Sequence, residues 1–223
     1  MQTQSYHFEV KDLVTFFVAA FNGITINRYD KSRTVKDKIS VRFVYSPKQR
    51  VVHDLINKSQ HISLPCVAVT VTSIERDESR IFNKIYGIDE NRGPKAVEST
   101  HIPSPVPVNL GINFDILTKY QTDMDQILSN FIPYSNPYII LSWPVPTSLS
   151  QNITELRSEV NWDGSVSLEY PDDLQTTDPY RVSANTSFTI KGWIWPYQAS
   201  TVTTANILYI NTNITPVTGF GYI

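Results

Sequence analysis

A regular alternation of apolar and polar side chains over residues 106–117 constrains the fold more than any other part of the chain. The polar positions of this segment are Asn109, Gly111, Asn113 and Asp115. Alternation with a period of two is typical of a β-strand that buries one face and leaves the other polar. The apolar positions, which we expect in the core, are Val106, Val108, Leu110, Ile112, Phe114 and Ile116.

Three helices are predicted, all within the first 135 residues. Residues 10–21 follow a helical period and keep little polar face, so this helix should be buried nearly all round. Ser46 and Pro47 form an N-cap and first-turn pair for a second helix. Thr122 with Asp125 resembles a capping box at the start of a third. The apolar stripes of the last two helices are Val51, Val52, Leu55 and Ile56, and Met124, Ile127, Leu128, Phe131 and Ile132.

The remaining periodic segments predict strands, and those after residue 138 follow one another without a helix. Asp163 and Gly164 predict a hairpin turn between two of them. Residues 75–100 are polar and aperiodic and are interpreted as a long hairpin tip or an inserted loop. The predicted strands are residues 24–29, 39–45, 67–71, 106–117, 138–145, 153–162, 166–170, 182–194 and 207–214.

This order predicts an α+β fold, with a mainly antiparallel β-sheet flanked by about three helices and extended C-terminal β-hairpins. We assign residues 1–135 to an α/β core half. Residues 136–223 form a β-rich half of the same domain and end in an interaction segment. With 223 residues, the chain is long enough for a sizeable core.

Composition excludes several classes of protein. The net charge of −2 gives no overall excess that would indicate a nucleic-acid or membrane-surface protein. The apolar run at 16–21 is far shorter than a membrane span, and residues 1–9 lack the layout of a secretion signal. Cys66 is the only cysteine, which excludes an intrachain disulfide and favours a reducing compartment.

Charge is unevenly distributed along the chain. Residues 28–50 contain eight basic and two acidic side chains, whereas residues 143–190 contain two basic and seven acidic ones. Residues 192–223 contain no charged side chain, although they are rich in aromatic residues. Such a segment is typical of a surface that another molecule covers. The candidate partner-binding residues are therefore Arg28, Lys31 and Arg33, with Trp193, Trp195, Tyr197, Ile207, Tyr209 and Ile210.

No catalytic or metal-binding constellation emerges from the sequence. The four histidines, at positions 7, 53, 61 and 101, do not have metal-ligand spacing. Cys66 begins an apolar strand, so a buried, inert thiol is favoured over a nucleophile. Asp123 and Asp125 lie where acidic residues complement a helix dipole. The sequence therefore predicts neither an enzyme nor a cofactor.

Three segments, in this order, resemble one protein family. They are residues 41–56, which include Phe43-Val44-Tyr45-Ser46-Pro47; residues 113–137, with a strand running directly into a helix; and residues 188–196, which include Gly192-Trp193-Ile194-Trp195-Pro196. Together they resemble the tail sheath stabiliser and completion proteins of T-even-like contractile-tailed bacteriophages. Two departures stand out: we expect this chain to lack the charged, Pro-rich C-terminal extension of the T-even member, and residues 75–100 have no clear counterpart in the family.

The resemblance implies a structural virion protein without a cofactor. It implies a hexameric ring at the head-proximal end of the tail, made in the host cytoplasm, that contacts the tail sheath protein, the tail terminator or tube protein, and the neck proteins. It implies no membrane partner and no sequence-specific nucleic acid. A tail terminator, a baseplate or injection-system cap, a receptor-binding module and an unrecognised enzyme remain alternatives.

Overall fold

The computed structural model describes residues 7–57, 63–81, 87–91, 98–145, 154–170, 181–195 and 200–203. The three helices are α1 (Glu9–Phe21), α2 (Lys48–Asn57) and α3 (Gln121–Tyr134). The strands are β1 (Thr25–Tyr29), β2 (Val35–Ser40), β3 (Arg42–Tyr45), β4 (Cys66–Arg76), β5 (Gly87–Asn91), β6 (Glu98–Pro103), β7 (Val106–Thr118), β8 (Ile139–Pro144), β9 (Glu155–Trp162), β10 (Ser167–Glu169), β11 (Val182–Ile194) and β12 (Ser200–Thr203). The α+β prediction is confirmed.

A seven-stranded sheet forms the body of the fold. Its strand order is β3-β4-β7-β11-β9-β8, and β10 also pairs with β11. Every pairing in this sheet is antiparallel except that of β3 with β4. At its centre, β7 and β11 pair without interruption from Thr118 opposite Val182 to Val106 opposite Ile194. The alternation that identified β7 in the sequence therefore lies in the middle of the sheet.

The main core lies between one face of this sheet and helices α1 and α3. Phe114 of β7 is fully buried at its centre. Its ring centroid lies 5.2 Å from that of Phe21, 5.6 Å from that of Phe188 and 6.0 Å from that of Phe131. Tilted and edge-to-face contacts of this kind stabilise a core beyond their buried area.

Helix α2 covers a second, smaller cluster, formed by Val51, Cys66, Ala68 and Leu117. On β7, Ile116 belongs to the main core, whereas its neighbour Leu117 belongs to this cluster. Since successive side chains point to opposite faces of a strand, α2 lies on the other face of the sheet.

The predicted strand at 39–45 is wrong as a single element. The chain forms β2 up to Ser40 and β3 from Arg42, and these strands belong to different sheets. At the junction the Val41 N–H donates to the Ile24 carbonyl, whereas the Arg42 N–H donates to the Pro65 carbonyl. The alternation of side chains continues across Val41, so the sequence did not reveal that the backbone changes partners there.

The predicted hairpin at Asp163-Gly164 is also wrong. Strands β9 and β10 do not pair with each other; both pair with β11, one after the other along the same edge. The Asp163 N–H donates to the Ser187 carbonyl, and the Thr186 hydroxyl donates to the Ser165 carbonyl. Gly164, with φ of 80°, permits a local break without reversing the chain.

The predicted capping interactions do not form. Helix α3 begins after Tyr120, which has no side-chain cap, and the Asp125 carboxylate instead accepts from the Gln121 amide. The Ser46 hydroxyl is buried without a hydrogen-bond partner among the described residues.

The inserted segment at 75–100 contains structure of its own. Strand β4 extends to Arg76, a short 3-10 helix follows at Glu78–Arg80, and β5 and β6 form an antiparallel pair. Strand β12 pairs with β6 and completes a three-stranded sheet. The predicted strand at 207–214 lies outside the described residues.

We predict that Phe114→Ala lowers the free energy of unfolding by about 3–5 kcal/mol, because it removes a ring that several core aromatics contact. Urea denaturation measures this change. The matched control is Ile140→Ala on β8. Ile140 is 57% exposed, so this substitution should lower the free energy of unfolding by only about 0.5 kcal/mol. Equal losses in the two variants would contradict this description of the core.

Candidate protein-binding surface

Residues 25–40 form a two-stranded antiparallel hairpin, here called the basic hairpin, which pairs with no other described strand. The sequence placed its cations in a loop, but Lys36 and Lys38 lie on β2. Tyr29 and Val35 face each other across the hairpin and are each 54% exposed. The exposed cationic side chains are Lys31, Arg33, Lys36 and Lys38.

The base of the basic hairpin is fixed to helix α3. The Asn27 N–H donates to the side-chain carbonyl of Gln126 at 2.8 Å, and the Gln126 amide donates back to the Asn27 carbonyl at 3.0 Å. One glutamine side chain thus occupies the outer edge of β1 as a neighbouring strand would. No sequence pattern indicates this role, since Gln126 is an ordinary polar residue beside the apolar stripe of its helix.

Arg28 strengthens this attachment. Its guanidinium lies 3.6 Å from the buried Asp123 carboxylate and 5.1 Å from the centre of the Tyr120 ring. The structure thus brings the predicted binding residue Arg28 together with Asp123, whose position in the sequence indicates a helix-dipole role. Arg28 therefore orients the basic hairpin, whereas Lys31 and Arg33 lie at its exposed turn.

Two acidic side chains of the 143–190 region are neutralised within the chain. Lys48 donates to Glu169 at 2.6 Å, and Lys191 donates to Glu159 at 3.0 Å. These hydrogen bonds are the main reason that the pKa values of both glutamates lie below their ordinary range. The predicted acidic surface is therefore partly satisfied by the protein's own lysines.

Trp193 is half-buried beneath a cation. The Arg80 guanidinium lies 4.9 Å from the centre of its ring and donates to the Asp77 carboxylate at 2.7 Å and to the Val108 carbonyl at 2.7 Å. Hydrogen bonds from the Ser79 hydroxyl, and next from Arg80, lower the pKa of Asp77 to about 2. The Arg80–Trp193 contact thus attaches the 3-10 helix to β7 and β11.

Trp195 is an internal packing residue rather than an exposed one. The residue is 7% exposed, and its side chain packs with Val145 and Leu156. The backbone N–H of Trp195 donates to the Glu9 carboxylate at 3.2 Å. The side chain therefore offers a partner little surface. The other predicted binding residues of this region, Tyr197, Ile207, Tyr209 and Ile210, lie outside the described residues.

Two buried titratable side chains of the sheet, Cys66 and Asp115, have structural surroundings. Cys66 is buried, and burial raises the pKa of its thiol to about 12, as expected for an inert cysteine. Asp115 on β7 is buried between the amides of Asn113 and Asn185, and burial raises its pKa. The described residues contain no cluster of three metal-ligating side chains. None of the described helices combines the length and apolar character that crossing a membrane requires.

Comparison with known proteins assigns this arrangement to a family. The family model of the T4-like virus Myoviridae tail sheath stabiliser matches residues 4–218, nearly the whole chain. The chain belongs to the tail sheath stabiliser family. It is a structural component of a contractile phage tail, which confirms the family predicted from the sequence.

Comparison with solved structures and with curated proteins gives weaker results than the family model. A solved structure, the sheath/tube terminator of the PVC extracellular contractile injection system in its extended state, aligns with 96% of this chain and 67% of its own. The identity is 11% and the TM-score is 0.34, so this likeness is too distant to support a functional conclusion. No curated protein matches the sequence of this tail sheath stabiliser.

We predict that Asp77→Asn destabilises the protein in a pH-dependent way. Because the folded state lowers the pKa of Asp77, its ionised form stabilises the fold above about pH 4, and this contribution disappears as the pH falls toward about 2. The difference in denaturation midpoint between wild type and variant should therefore be largest near pH 7 and shrink through that window.

The control is Glu78→Gln, which removes the exposed carboxylate next to Asp77. It should shift the midpoint little at any pH. A pH-independent difference for Asp77→Asn would show that the ionised carboxylate is not what stabilises the Arg80–Trp193 contact.

Proposed function

We propose that this tail sheath stabiliser assembles as a ring, most simply a hexamer, at the head-proximal end of the tail. There it caps the last sheath ring and the end of the tube and joins them to the neck. Its partners are further copies of itself, the tail sheath protein, the tail terminator or tube protein, and the neck proteins. The match of the family model over residues 4–218 carries the proposal.

The seven-stranded sheet supports a role in assembly because it ends in two strands with no further described neighbour, β3 and β8. On β8, Ile139, Leu141 and Trp143 are buried whereas Ile140 is 57% exposed. An edge strand with exposed apolar side chains is favourable for docking another protein. An ordinary stable interface would bury about 800 Å² on each partner.

Such a cap acts through the free energy of association with its partners and not through catalysis. The groups considered for chemistry have structural roles: Cys66 is buried in the sheet, and Asp123 is paired with Arg28. The cap acts by holding the sheath and tube ends in one position, and no covalent bond changes. We also propose that the protein assembles onto the tail in the host cytoplasm.

The uncharged C-terminal segment supports the same role on sequence grounds. Residues 204–223 contain no charged side chain and include the predicted binding residues Ile207, Tyr209 and Ile210. We propose that a neighbouring subunit or tail protein covers this segment in the assembled tail.

Deletion of residues 204–223 should leave a folded protein that fails to complete tails, because it keeps every described helix and strand and removes the proposed interface contacts. Electron microscopy of tails made with the truncated protein measures the fraction with a capped, extended sheath. Native mass spectrometry of the purified protein, with and without sheath protein, measures subunit number.

The control is a full-length triple variant, Ile207→Asp, Tyr209→Asp and Ile210→Asp, which keeps the length of the chain and removes the apolar side chains. It should reproduce the defect of the deletion. Normal tail completion by both variants would contradict the proposed role of this segment.

A further inference from the structure

Four cations of the basic hairpin differ from Lys48, Arg80 and Lys191 in how they are paired. Lys48, Arg80 and Lys191 each lie within 3.0 Å of a carboxylate oxygen in the same chain. Lys31, Arg33, Lys36 and Lys38 are exposed and form no ion pair with any described residue. The distal part of the basic hairpin therefore presents an excess of positive charge, four cations against the two carboxylates of Asp30 and Asp37.

The hairpin is also held in place before any partner arrives. Its base is fixed by the reciprocal Asn27–Gln126 hydrogen bonds, by the Arg28–Asp123 ion pair and by the fully buried side chain of Ile26. Its distal part, with strand β2 almost wholly exposed, has no described neighbour other than β1. A projection that is already oriented loses less conformational entropy on binding.

The surface of the hairpin combines charge with an apolar contact. Tyr29 and Val35 form an exposed pair beside Lys36, and Asp30 and Asp37 lie among the cations. Tyrosine and arginine are typical of the dominant contacts in protein interfaces. The two carboxylates would repel a phosphate backbone, so the chemistry favours a protein over a nucleic acid.

The described part of the 143–190 region of a second copy would offer the basic hairpin few carboxylates. Of its four described acidic side chains, Glu169 pairs with Lys48, Glu159 with Lys191, and Glu155 lies 3.6 Å from Arg157. Asp163 is the remaining described one in this region.

We propose that the basic hairpin docks this protein onto an acidic surface of a different tail protein, with Lys31, Arg33, Lys36 and Lys38 facing carboxylates and Tyr29 and Val35 seated in an apolar recess. This inference rests on the proposed function, and it identifies the chemistry of the partner. Charge-complementary contacts of this kind raise the association rate and make binding dependent on salt.

The experiment uses the full-length protein and tails assembled without it, which contain sheath and tube. Binding to these tails is measured by co-sedimentation over a range of NaCl concentrations. The hairpin variant is Lys36→Glu with Lys38→Glu, and a milder version changes both residues to Gln. Thermal unfolding of each variant checks that the fold is retained, as expected for exposed positions.

The matched control is Lys11→Glu with Arg50→Glu, which changes the net charge by the same amount. Both residues are exposed in the first turns of α1 and α2 and form no ion pair with a described residue. The charge-reversed hairpin should bind the tails at least about tenfold more weakly than wild type, the Gln version should be intermediate, and the control should remain within about twofold.

The outcomes separate the inference from the proposed function. Wild-type protein that does not bind tails contradicts the proposed function and the inference together. Wild-type binding that the hairpin charge reversal leaves unchanged overturns the inference alone.

Two further measurements test the identity of the partner. Poly-L-glutamate should displace the protein from tails at lower charge concentration than a short DNA duplex does; the reverse order would assign the hairpin to nucleic acid and overturn the proposal. Sedimentation velocity measures self-association of the wild type and the hairpin variant. A variant that loses self-association but still binds tails would assign the hairpin to a second copy and would also overturn the proposal.

Discussion

The uninterrupted pairing of β7 with β11 is the constraint on which the rest of the structure depends. These two strands join the early part of the chain to its last third, since β4 pairs with β7 on one side and β9 pairs with β11 on the other. Their inward side chains, with Phe114 and Phe188 at the centre, form the surface on which α1 and α3 pack. A shift of one residue in the register of either strand would turn its apolar side chains toward α2 and its polar side chains toward the core.

The same pairing positions the polar contacts around the core. Lys48 reaches Glu169 because β10 lies beside β11, and Arg80 reaches Trp193 because β7 and β11 end together. Lys48, Arg80 and Lys191 are thereby each paired with a carboxylate of the same chain. The basic hairpin lies outside this framework, and its Lys31, Arg33, Lys36 and Lys38 form no ion pair with a described residue.

For a tail sheath stabiliser, the separation of a paired central sheet from exposed contact surfaces has a physical advantage. A rigid, internally satisfied sheet can transmit force without rearranging, whereas exposed edges and projecting hairpins can be complementary to neighbours. Family membership and the geometry therefore support one interpretation, in which the fold is a scaffold that presents contact surfaces.

The sequence by itself determined the elements whose side chains follow one unbroken period: β7, β11, α1 and α3 were predicted because their pattern depends only on which face is buried. Family membership was also predictable, because the three resembling segments contain the strand-to-helix junction before Gln121 and the aromatic end of β11. Tertiary structure alone decided which backbone groups pair. Val41 continues an alternation yet separates two sheets, and Asp163-Gly164 has the residues of a hairpin yet joins two strands along one edge of β11. Gln126 completes β1 from a helix far along the chain. In each case the deciding hydrogen bonds come from residues distant in sequence, and no local pattern of apolar and polar side chains encodes them.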